Sequence, residues 1–366
     1  MPPAALVALL LPLRLLAGDE PASASAPPPT AHEEITVTAT AVPTRLAETP
    51  AAVTLLDEDE LVAAAPLTLD DLLRQVPGFT LFRRTGSRSA NPTTQGASLR
   101  GIGGSGASRA LVLADGIPLN DPFGGWVAWG RVPRLSLVRV EVLRGGASEL
   151  YGSGALAGVV QLLRRPAGLP GDGGSLLAEG SAGGERTASG GLWAAGRYGA
   201  WGASLAREGV TSAGYVPVAR TERGPVDSPA GGRHRSVELT VERAAATGVR
   251  LFARGSGFDE HRANGTPLQE NSTWLRELAA GLDHSLGGGA AAWRLWSTRE
   301  RYFQTFSTVA ADRASERLNR DQRVPSRVVG GTLRWTRPLG DRQTLVAGAE
   351  TRKTRGESDE RAFVGG

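Results

Sequence analysis

The sequence predicts a small α+β domain followed by a series of antiparallel β-strands, and three observations support this prediction. The 366 residues include 49 glycines and only 5% aromatic residues, a composition that suits short strands and tight turns better than a helical core. The longest apolar run, Ala4–Leu13, is too short for a membrane-spanning helix of about 20 residues. From Ser175 onward, segments of about ten residues with alternating polarity recur, which is the pattern of tilted strands that cross a bilayer.

The N-terminal domain combines a helix with strands that are separated by glycine-rich turns. Leu69–Val76 has one apolar face, begins with the capping-box-like pair Thr68 and Asp71, and is ended by Pro77-Gly78. The pair Asp115-Gly116 between two apolar runs predicts a β-hairpin. Further elements are predicted as strands at Ala51–Leu56, Ala110–Leu113, Ile117–Leu119, Val138–Leu143 and Gly158–Leu163, and as one helical turn at Ala147–Tyr151.

The C-terminal half contains nine predicted strands. They are Ser175–Ser181, Thr187–Gly196, Ala200–Glu208, Arg235–Arg243, Val249–Phe258, Ser272–Asp283, Ala291–Glu300, Ser326–Thr336 and Gln343–Thr351. Their connections alternate between short (Arg197–Gly199, Ala244–Gly248, Arg337–Arg342) and long (Gly209–His234, Asp259–Asn271, Arg301–Pro325). An outer-membrane barrel has this asymmetry, with short periplasmic turns and long outer loops, whereas a soluble β-sandwich explains the strands but not the loops.

Three phrases within Ser98–Leu163 connect the sequence to a known family. LRGIG, LADGIPLND and VEVLRGGASELYGSGALAGVV occur in this order, and from about Glu33 to Arg165 the chain resembles the plug domain of TonB-dependent outer-membrane receptors. The resemblance implies a plug domain at 41–166 and the N-terminal part of a transmembrane β-barrel at 167–366, in the bacterial outer membrane. Because plugged receptors of this family close with 22 strands, the nine predicted strands imply an incomplete barrel and a C-terminally truncated chain.

The residues ahead of the plug are interpreted as two functional segments. Residues 1–26 are expected to form a signal peptide, with an apolar core at Ala4–Leu13 followed by small residues. Residues 27–40 are expected to be a linker that carries a free strand, which could bind a partner by strand addition. The resemblance identifies this strand as the TonB box and implies TonB as its partner, through Glu34, Ile35, Thr36, Val37, Thr38 and Ala39. The alternative is an ordinary first strand of the plug.

Two further groups of residues are candidates for function within the plug. Arg100, Glu141 and Arg144 are charges within apolar or glycine-rich segments and therefore need partners. They are interpreted as an ion-pair network of the plug, and the resemblance implies that the arginines pair with acids of the barrel wall and seat the plug. Loop residues that could face a substrate are Arg88, Asn91, Asn120, Asp121, Phe123 and Trp126. For Phe123 and Trp126, packing against the barrel wall is an equal alternative.

Several other classes of site are excluded or disfavoured by the sequence. Cysteine is absent, and 41 basic residues against 37 acidic ones give a net charge of +4 without a basic run, so neither a thiolate metal site nor nucleic-acid binding is expected. Gly101–Gly106 matches G-x-G-x-x-G, but a strand rather than a helix is predicted to follow, which disfavours a dinucleotide site. The histidines share no zinc-binding spacing, although His234 and His261 lie in predicted outer loops where haem or a metal chelate could be met. No catalytic pattern is present, so an enzyme is not expected.

The expected function is active import of a scarce nutrient chelate, with a ferric siderophore as the first candidate and cobalamin as the second. No resident metal or other cofactor is expected. The expected partners are TonB, outer-membrane lipid and lipopolysaccharide, and a small-molecule ligand, with the protein a monomer. The alternatives are a passive outer-membrane channel, a non-functional fragment and, less favoured, a soluble nucleotide-binding enzyme.

Overall fold

The fold was analysed in a computed structural model of the chain. The structure describes residues 7–11, 36–37, 44–45, 52–64, 68–82, 86–89, 91–102, 107–168, 173–245, 248–340 and 343–363. Residues 52–168 form a compact domain, here called the plug. Residues 173–362 form one large antiparallel sheet, here called the wall.

The plug is built on a five-stranded mixed sheet. Its strands are β4 (Ala52–Leu56), β7 (Ala110–Ala114), β8 (Ile117–Pro118), β9 (Leu137–Arg144) and β10 (Gly158–Arg164). Their order is β4-β9-β10-β7-β8, in which β10 and β7 run parallel and the other neighbours antiparallel. A pair of shorter strands, β5 (Phe79–Leu81) and β6 (Ala97–Leu99), forms a separate two-stranded sheet.

The helices of the plug cover the central sheet. They are α1 (Glu58–Ala63), α2 (Leu69–Leu73) and α3 (Ser148–Tyr151). The predicted apolar face of α2 is buried in the main core together with Val140 and Val160. The predicted cap is different, because the Thr68 hydroxyl donates to the Asp71 carboxylate over 3.1 Å instead of capping the backbone. Helix α1 was not predicted, although Asp57 and Glu60 form a capping box at its start.

The wall consists of nine long antiparallel strands, each paired with the next. They are β11 (Gly173–Gly183), β12 (Thr187–Tyr198), β13 (Trp201–Tyr215), β14 (Ala230–Ala245), β15 (Val249–Ala263), β16 (Glu270–Leu286), β17 (Gly289–Val309), β18 (Glu316–Leu339) and β19 (Gln343–Gly356). The short β20 (Asp359–Ala362) pairs with β18 in the register of β19 and continues that strand. The nine predicted strands are confirmed. Within the described residues, β11 and β19 do not pair with each other, so the sheet is open.

Three short strands near the N-terminus complete the secondary structure. β1 (Val7–Leu11) pairs antiparallel with β11 and lies within the predicted signal peptide. β2 (Thr36–Val37) pairs with β3 (Thr44–Arg45). The remainder of residues 1–51 lies outside the described residues.

The wall strands are longer than predicted at one end of the sheet. At the other end, two-residue turns join the strands at 199–200 and 287–288, and β14 meets β15 and β18 meets β19 at this same end. Opposite these turns, β17 and β18 run to Val309 and from Glu316, so the predicted long loop Arg301–Pro325 is largely strand. Asp259–Asn271 likewise shortens to a loop at 264–269. The length asymmetry therefore resides in the strands as well as in the loops.

The wall has one apolar face and one polar face. On β14, Val237, Leu239 and Val241 are 39–53% exposed. Glu238, Thr240 and Glu242, which alternate with them, are at most 7% exposed and face the plug. This is the predicted alternation, and it means that the plug occupies the polar side of the sheet. No helix among the described residues is sufficiently long and apolar to span a membrane.

Candidate functional site

Four charged side chains form a closed ring at the contact between plug and wall, here called the charge ring. Asp115 and Arg164 belong to the plug, and Glu238 and Arg254 belong to β14 and β15. Arg164 donates to Asp115 over 3.2 Å and to Glu238 over 2.9 Å. Arg254 Nη2 lies 2.7 Å from Asp115, and its Nε lies 3.6 Å from Glu238. Every side chain of the ring is at most 13% exposed, and the alternation of charge gives the buried group no net charge.

The plug contributes to the charge ring through the tight turn between β7 and β8. Asp115 and Gly116 have φ angles of 49° and 81°, which is the left-handed conformation of a two-residue type I′ hairpin. The Arg164 backbone N–H donates to the Asp115 carboxylate over 3.1 Å, and Arg294 Nε of β17 donates to the Asp115 carbonyl over 3.0 Å. The predicted hairpin turn is therefore also a point where the wall holds the plug.

Electrostatics keep the plug side of the charge ring ionised. Burial alone would raise the pKa of Asp115, but the guanidinium groups of Arg254 and Arg164 outweigh it and hold this pKa well below its usual range. Burial would lower the pKa of Arg164, but Glu238 and Asp115 raise it above its usual value. Near neutral pH, Asp115 is therefore an anion and Arg164 a cation.

Two more plug arginines bind acids of the wall. Arg131 Nη2 lies 2.6 Å from Glu277 of β16 and its Nη1 donates to the plug carbonyl of Leu119 over 3.2 Å. The Arg134 side chain forms an ion pair with Glu179 of β11, and its backbone N–H donates to Glu208 of β13 over 2.8 Å. The segment 131–134 thus joins the plug to three wall strands.

A polar contact joins the plug to the wall nearer the long-strand end. The Tyr302 hydroxyl of β17 lies 3.0 Å from Asn91 Oδ1 and 2.9 Å from Gln304 Oε1. The ring centroids of Tyr302 and Trp126 are 5.4 Å apart, and both side chains are buried. Trp126 therefore packs against the wall, which is one of the two predicted alternatives for this residue.

An open cleft lies between the plug and the turn that joins β11 to β12. Its volume is about 580 Å³, within the range of small-molecule sites. Asp71 and Arg88 line it from the plug and are 3.5 Å apart, and Glu185 and Tyr215 line it from the wall. The cleft presents charges of both signs and is accessible from solvent.

No metal site is formed by the described residues, since no three His, Cys, Asp or Glu side chains among them are grouped to hold an ion. The prediction that His234 and His261 lie in outer loops is wrong, because both lie in strands, β14 and β15. His234 is buried, with Nε2 3.6 Å from Glu208. His261 is half exposed beside Glu270.

Comparison with known proteins relates the plug to a known family. Residues 45–159 match the model described as the TonB-dependent receptor plug domain. These residues are a TonB-dependent receptor plug domain. The chain is 34% identical over 154 residues to a hemin receptor of Yersinia pestis and 30% identical over 132 residues to a vitamin B12 transporter of Vibrio vulnificus. These alignments cover 42% and 36% of the chain but only 21% and 20% of the relatives.

The structural similarity to known proteins extends beyond the plug into the wall. The FpvA structure of Pseudomonas aeruginosa, bound to heterologous pyoverdines, superposes with a TM-score of 0.67 at 15% identity and covers 90% of this chain and 46% of that one. The chain thus spans about half the length of this solved structure. A plug followed by a large antiparallel sheet is the fold of the TonB-dependent outer-membrane receptors.

The predicted TonB box lies mostly outside the described residues. Thr36 and Val37 form β2 and pair with Thr44 and Arg45, so the segment makes strand hydrogen bonds where it is described. Glu34, Ile35, Thr38 and Ala39 lie outside the described part. TonB binding by this segment stays a prediction.

The plug arginines predicted to reach the wall make their described contacts inside the plug. Arg144 Nη1 lies 3.5 Å from the Pro77 carbonyl, and the Arg100 backbone N–H donates to the Gly78 carbonyl over 2.9 Å. Glu141 is fully buried in the central sheet. Their seating role stays a prediction. Different plug residues form the described ion pairs with the wall, and sequence reasoning missed them: Asp115, Arg131, Arg134 and Arg164.

The predicted substrate-facing residues divide between structural and accessible positions. Asn120 bonds both the Val112 N–H and the Ala110 carbonyl of β7, and Asp121 accepts hydrogen bonds from the N–H groups of Phe123 and Gly124. The exposed positions are Arg88 at the cleft and Phe123, which is 50% exposed. Asn91 and Trp126 contact the wall as described above. Substrate contact by any of these residues stays a prediction.

Proposed function

We propose that the plug and wall act as a TonB-dependent outer-membrane receptor that imports a scarce nutrient chelate, with a ferric siderophore as the first candidate and cobalamin as the second. The observation that carries the proposal is the charge ring. A plug that is held by buried, mutually neutralising charges does not leave the wall without an input of energy, because separating them exposes uncompensated charge. An externally driven receptor requires such a plug, whereas a passive pore does not.

The ligand is proposed to bind at the cleft beside Arg88. The charged groups there suit a polar chelate, and the cleft includes the β11–β12 turn at the end of the wall that carries the long strands. In an outer-membrane barrel this end faces the exterior. The relatives are named for hemin and vitamin B12, and the superposed FpvA carries pyoverdines, so the substrate class proposed here is a large organic chelate or cofactor.

The energy input is proposed to enter through residues 34–39. Ligand binding shifts the population in which this segment leaves its pairing with residues 44–45 and becomes available to TonB. TonB then adds its own strand to the freed backbone, and force on the chain separates Asp115 and Arg164 from the wall. The chemistry involves no covalent step, and the proposed protein is not an enzyme.

The test is binding of the full chain in detergent micelles to the purified periplasmic domain of TonB. Val37→Pro removes the backbone donor that strand addition requires, and Val37→Ala retains it as the matched control. We expect loss of TonB binding for the proline variant only, and tighter TonB binding when ferric siderophore, cyanocobalamin or haemin is the correct ligand.

In receptor-deficient cells, the same pair of variants separates the alternatives. Ligand uptake that survives Val37→Pro indicates a passive channel. A chain that binds neither TonB nor any of the three ligands is a non-functional fragment. Either result refutes the proposed function.

A further inference from the structure

The apolar face of the wall carries a row of arginines across four neighbouring strands. Arg276 of β16 lies directly opposite Arg299 of β17, Arg299 opposite Arg327 of β18, and Arg327 opposite Arg355 of β19. Because adjacent strands are about 4.8 Å apart, the row extends over roughly 14 Å. We call these four residues the arginine row.

The arginine row lies at one border of the outward apolar band. Leu278, Leu295 and Val329 have the same strand parity as the row and are 46–70% exposed, so they share its face. They all lie between the row and the short-turn end of the sheet. The row therefore lies at the border farther from the short turns, which is the outer border if the sheet spans a membrane.

The charge of the row is poorly compensated by the protein. Directly opposed like charges destabilise a sheet. Arg276 is paired with Asp259, whose carboxylate oxygens both lie 3.1 Å from Nη2. Within the described part of the chain, no carboxylate lies within 4.0 Å of the guanidinium nitrogens of Arg299, Arg327 or Arg355. Three exposed cations of the row are therefore available to anions from outside the protein.

A groove with an aromatic wall lies along the row. Its volume is about 390 Å³. Trp274 forms one side and has the guanidinium groups of Arg276 and Arg301 at 4.5 and 5.0 Å from its ring centroid. Glu300 and Glu357 are the two acids among its lining residues. The other side chains that line the groove include Arg299, Arg301, Pro325, Arg327 and Arg355.

We propose that the arginine row and its groove bind the phosphate groups of lipopolysaccharide in the outer leaflet. Guanidinium groups bind phosphate through paired hydrogen bonds, and a basic residue near a membrane surface attracts anionic lipid by about 1 kcal/mol. The apolar band directly below the row accommodates the acyl chains of the same molecule, and Trp274 lies at the interface where aromatic residues concentrate. The inference rests on the membrane location in the proposed function and adds a lipid site to it.

The test compares binding of lipid A and of dephosphorylated lipid A to the full chain in micelles that contain no divalent cations. Arg299→Gln/Arg327→Gln removes the two central charges. Arg243→Gln/Arg337→Gln is the control, since it removes two exposed arginines from outward positions near the short turns. We expect lipid A to bind the row variant at least about tenfold more weakly than the parent or the control, and dephosphorylated lipid A to bind all three equally weakly.

Thermal unfolding in lipid-free micelles provides the second readout. Because the row repels itself, its variant should unfold at the same or a higher temperature than the parent, and lipid A should raise the unfolding temperature of the parent but not of the variant. Equal lipid A binding by parent and row variant, or equal binding of both lipids by the parent, overturns the proposal. Binding of an outer-membrane protein at the row in place of lipid overturns it as well. These measurements do not involve TonB or uptake, so their failure is distinguishable from failure of the proposed function.

Discussion

Removal of one carboxylate from the charge ring should loosen the plug strongly. Glu238→Gln leaves Arg164 and Arg254 to share Asp115 alone, with both guanidinium groups at most 5% exposed. Removing one partner of a buried ion pair costs about 3–5 kcal/mol, because the remaining charge is left uncompensated in the interior. At 1.4 kcal/mol for each tenfold change, the equilibrium constant for local opening of the plug–wall contact should rise by about 100- to 4,000-fold.

A second glutamate on the same strand provides the matched control. Glu242 also faces the plug side of β14 and lies 2.6 Å from Arg250, but the Arg250 side chain is 37% exposed. Water screens that pair, so Glu242→Gln should cost less than about 1 kcal/mol, or about fivefold in opening. Both substitutions change the same functional group at the same face of the wall.

The assay is hydrogen exchange of the β7–β8 hairpin and β10 amides, measured by mass spectrometry on the full chain in micelles. Glu238→Gln/Arg254→Met restores a neutral group of Arg164 and Asp115 and should recover much of the lost protection. An effect of Glu238→Gln no larger than that of Glu242→Gln would refute the inference that the charge ring holds the plug against the wall.

Three further predictions concern pH, the Tyr302 contact and the outer loops. Because the pKa of Asp115 is depressed in the folded state, the contribution of its carboxylate to stability is present above the unfolded pKa of about 3.9 and is lost as pH falls through the folded pKa. Hydrogen exchange of the β7–β8 hairpin amides, corrected for the intrinsic pH dependence of exchange, should therefore be constant from about pH 5 to 8 and faster below about pH 4. Tyr302→Phe should lower the stability of the plug–wall contact by about 1 kcal/mol through loss of the hydrogen bond to Asn91, and hydrogen exchange near Asn91 should be about fivefold faster. Tyr302→Leu should lower this stability further, because it also removes the ring packing against Trp126. Arg313 donates two hydrogen bonds of 2.7 and 2.5 Å to Asp227 and lowers the pKa of Asp227 to about 2. Asp227→Asn should therefore speed tryptic cleavage after Arg313 at neutral pH. An unchanged cleavage rate would contradict a link between loop 310–315 and the connection 216–229.

The sequence predicted the fold closely because local patterns determine most of it. The alternation around Val237 and the Asp115-Gly116 pair each have one good structural solution, and both occur as predicted. Strand ends were predicted poorly, since the polar alternation beyond Arg301 resembles a loop when the neighbouring strand is not known. Helix α1 was missed although Asp57 and Glu60 carry the signal for its first turn.

The charge ring could not be predicted from local pattern. Its four members are distributed over four elements, and each has an adequate local explanation, as a turn residue in the case of Asp115 and as a strand-terminal charge in the case of Arg164. Their partners become visible only when the register of β14 and β15 is known, because a shift of one residue would turn Glu238 away from the plug. The arginine row illustrates the same limit, since only the pairing of β16–β19 brings its members into line.

The length of β18 has a consequence for how large molecules approach this protein. Its 24 residues would extend about 80 Å along the strand and about 60 Å in height at a tilt of about 40°, whereas the apolar band of such a barrel is about 25 Å tall. In an outer-membrane barrel, the hydrogen-bonded strand pair β17–β18 therefore projects some 30 Å beyond the lipid. Only the six residues 310–315 form the loop at its tip. A large molecule that approaches from outside therefore contacts paired β-strand along most of this projection rather than a long loop.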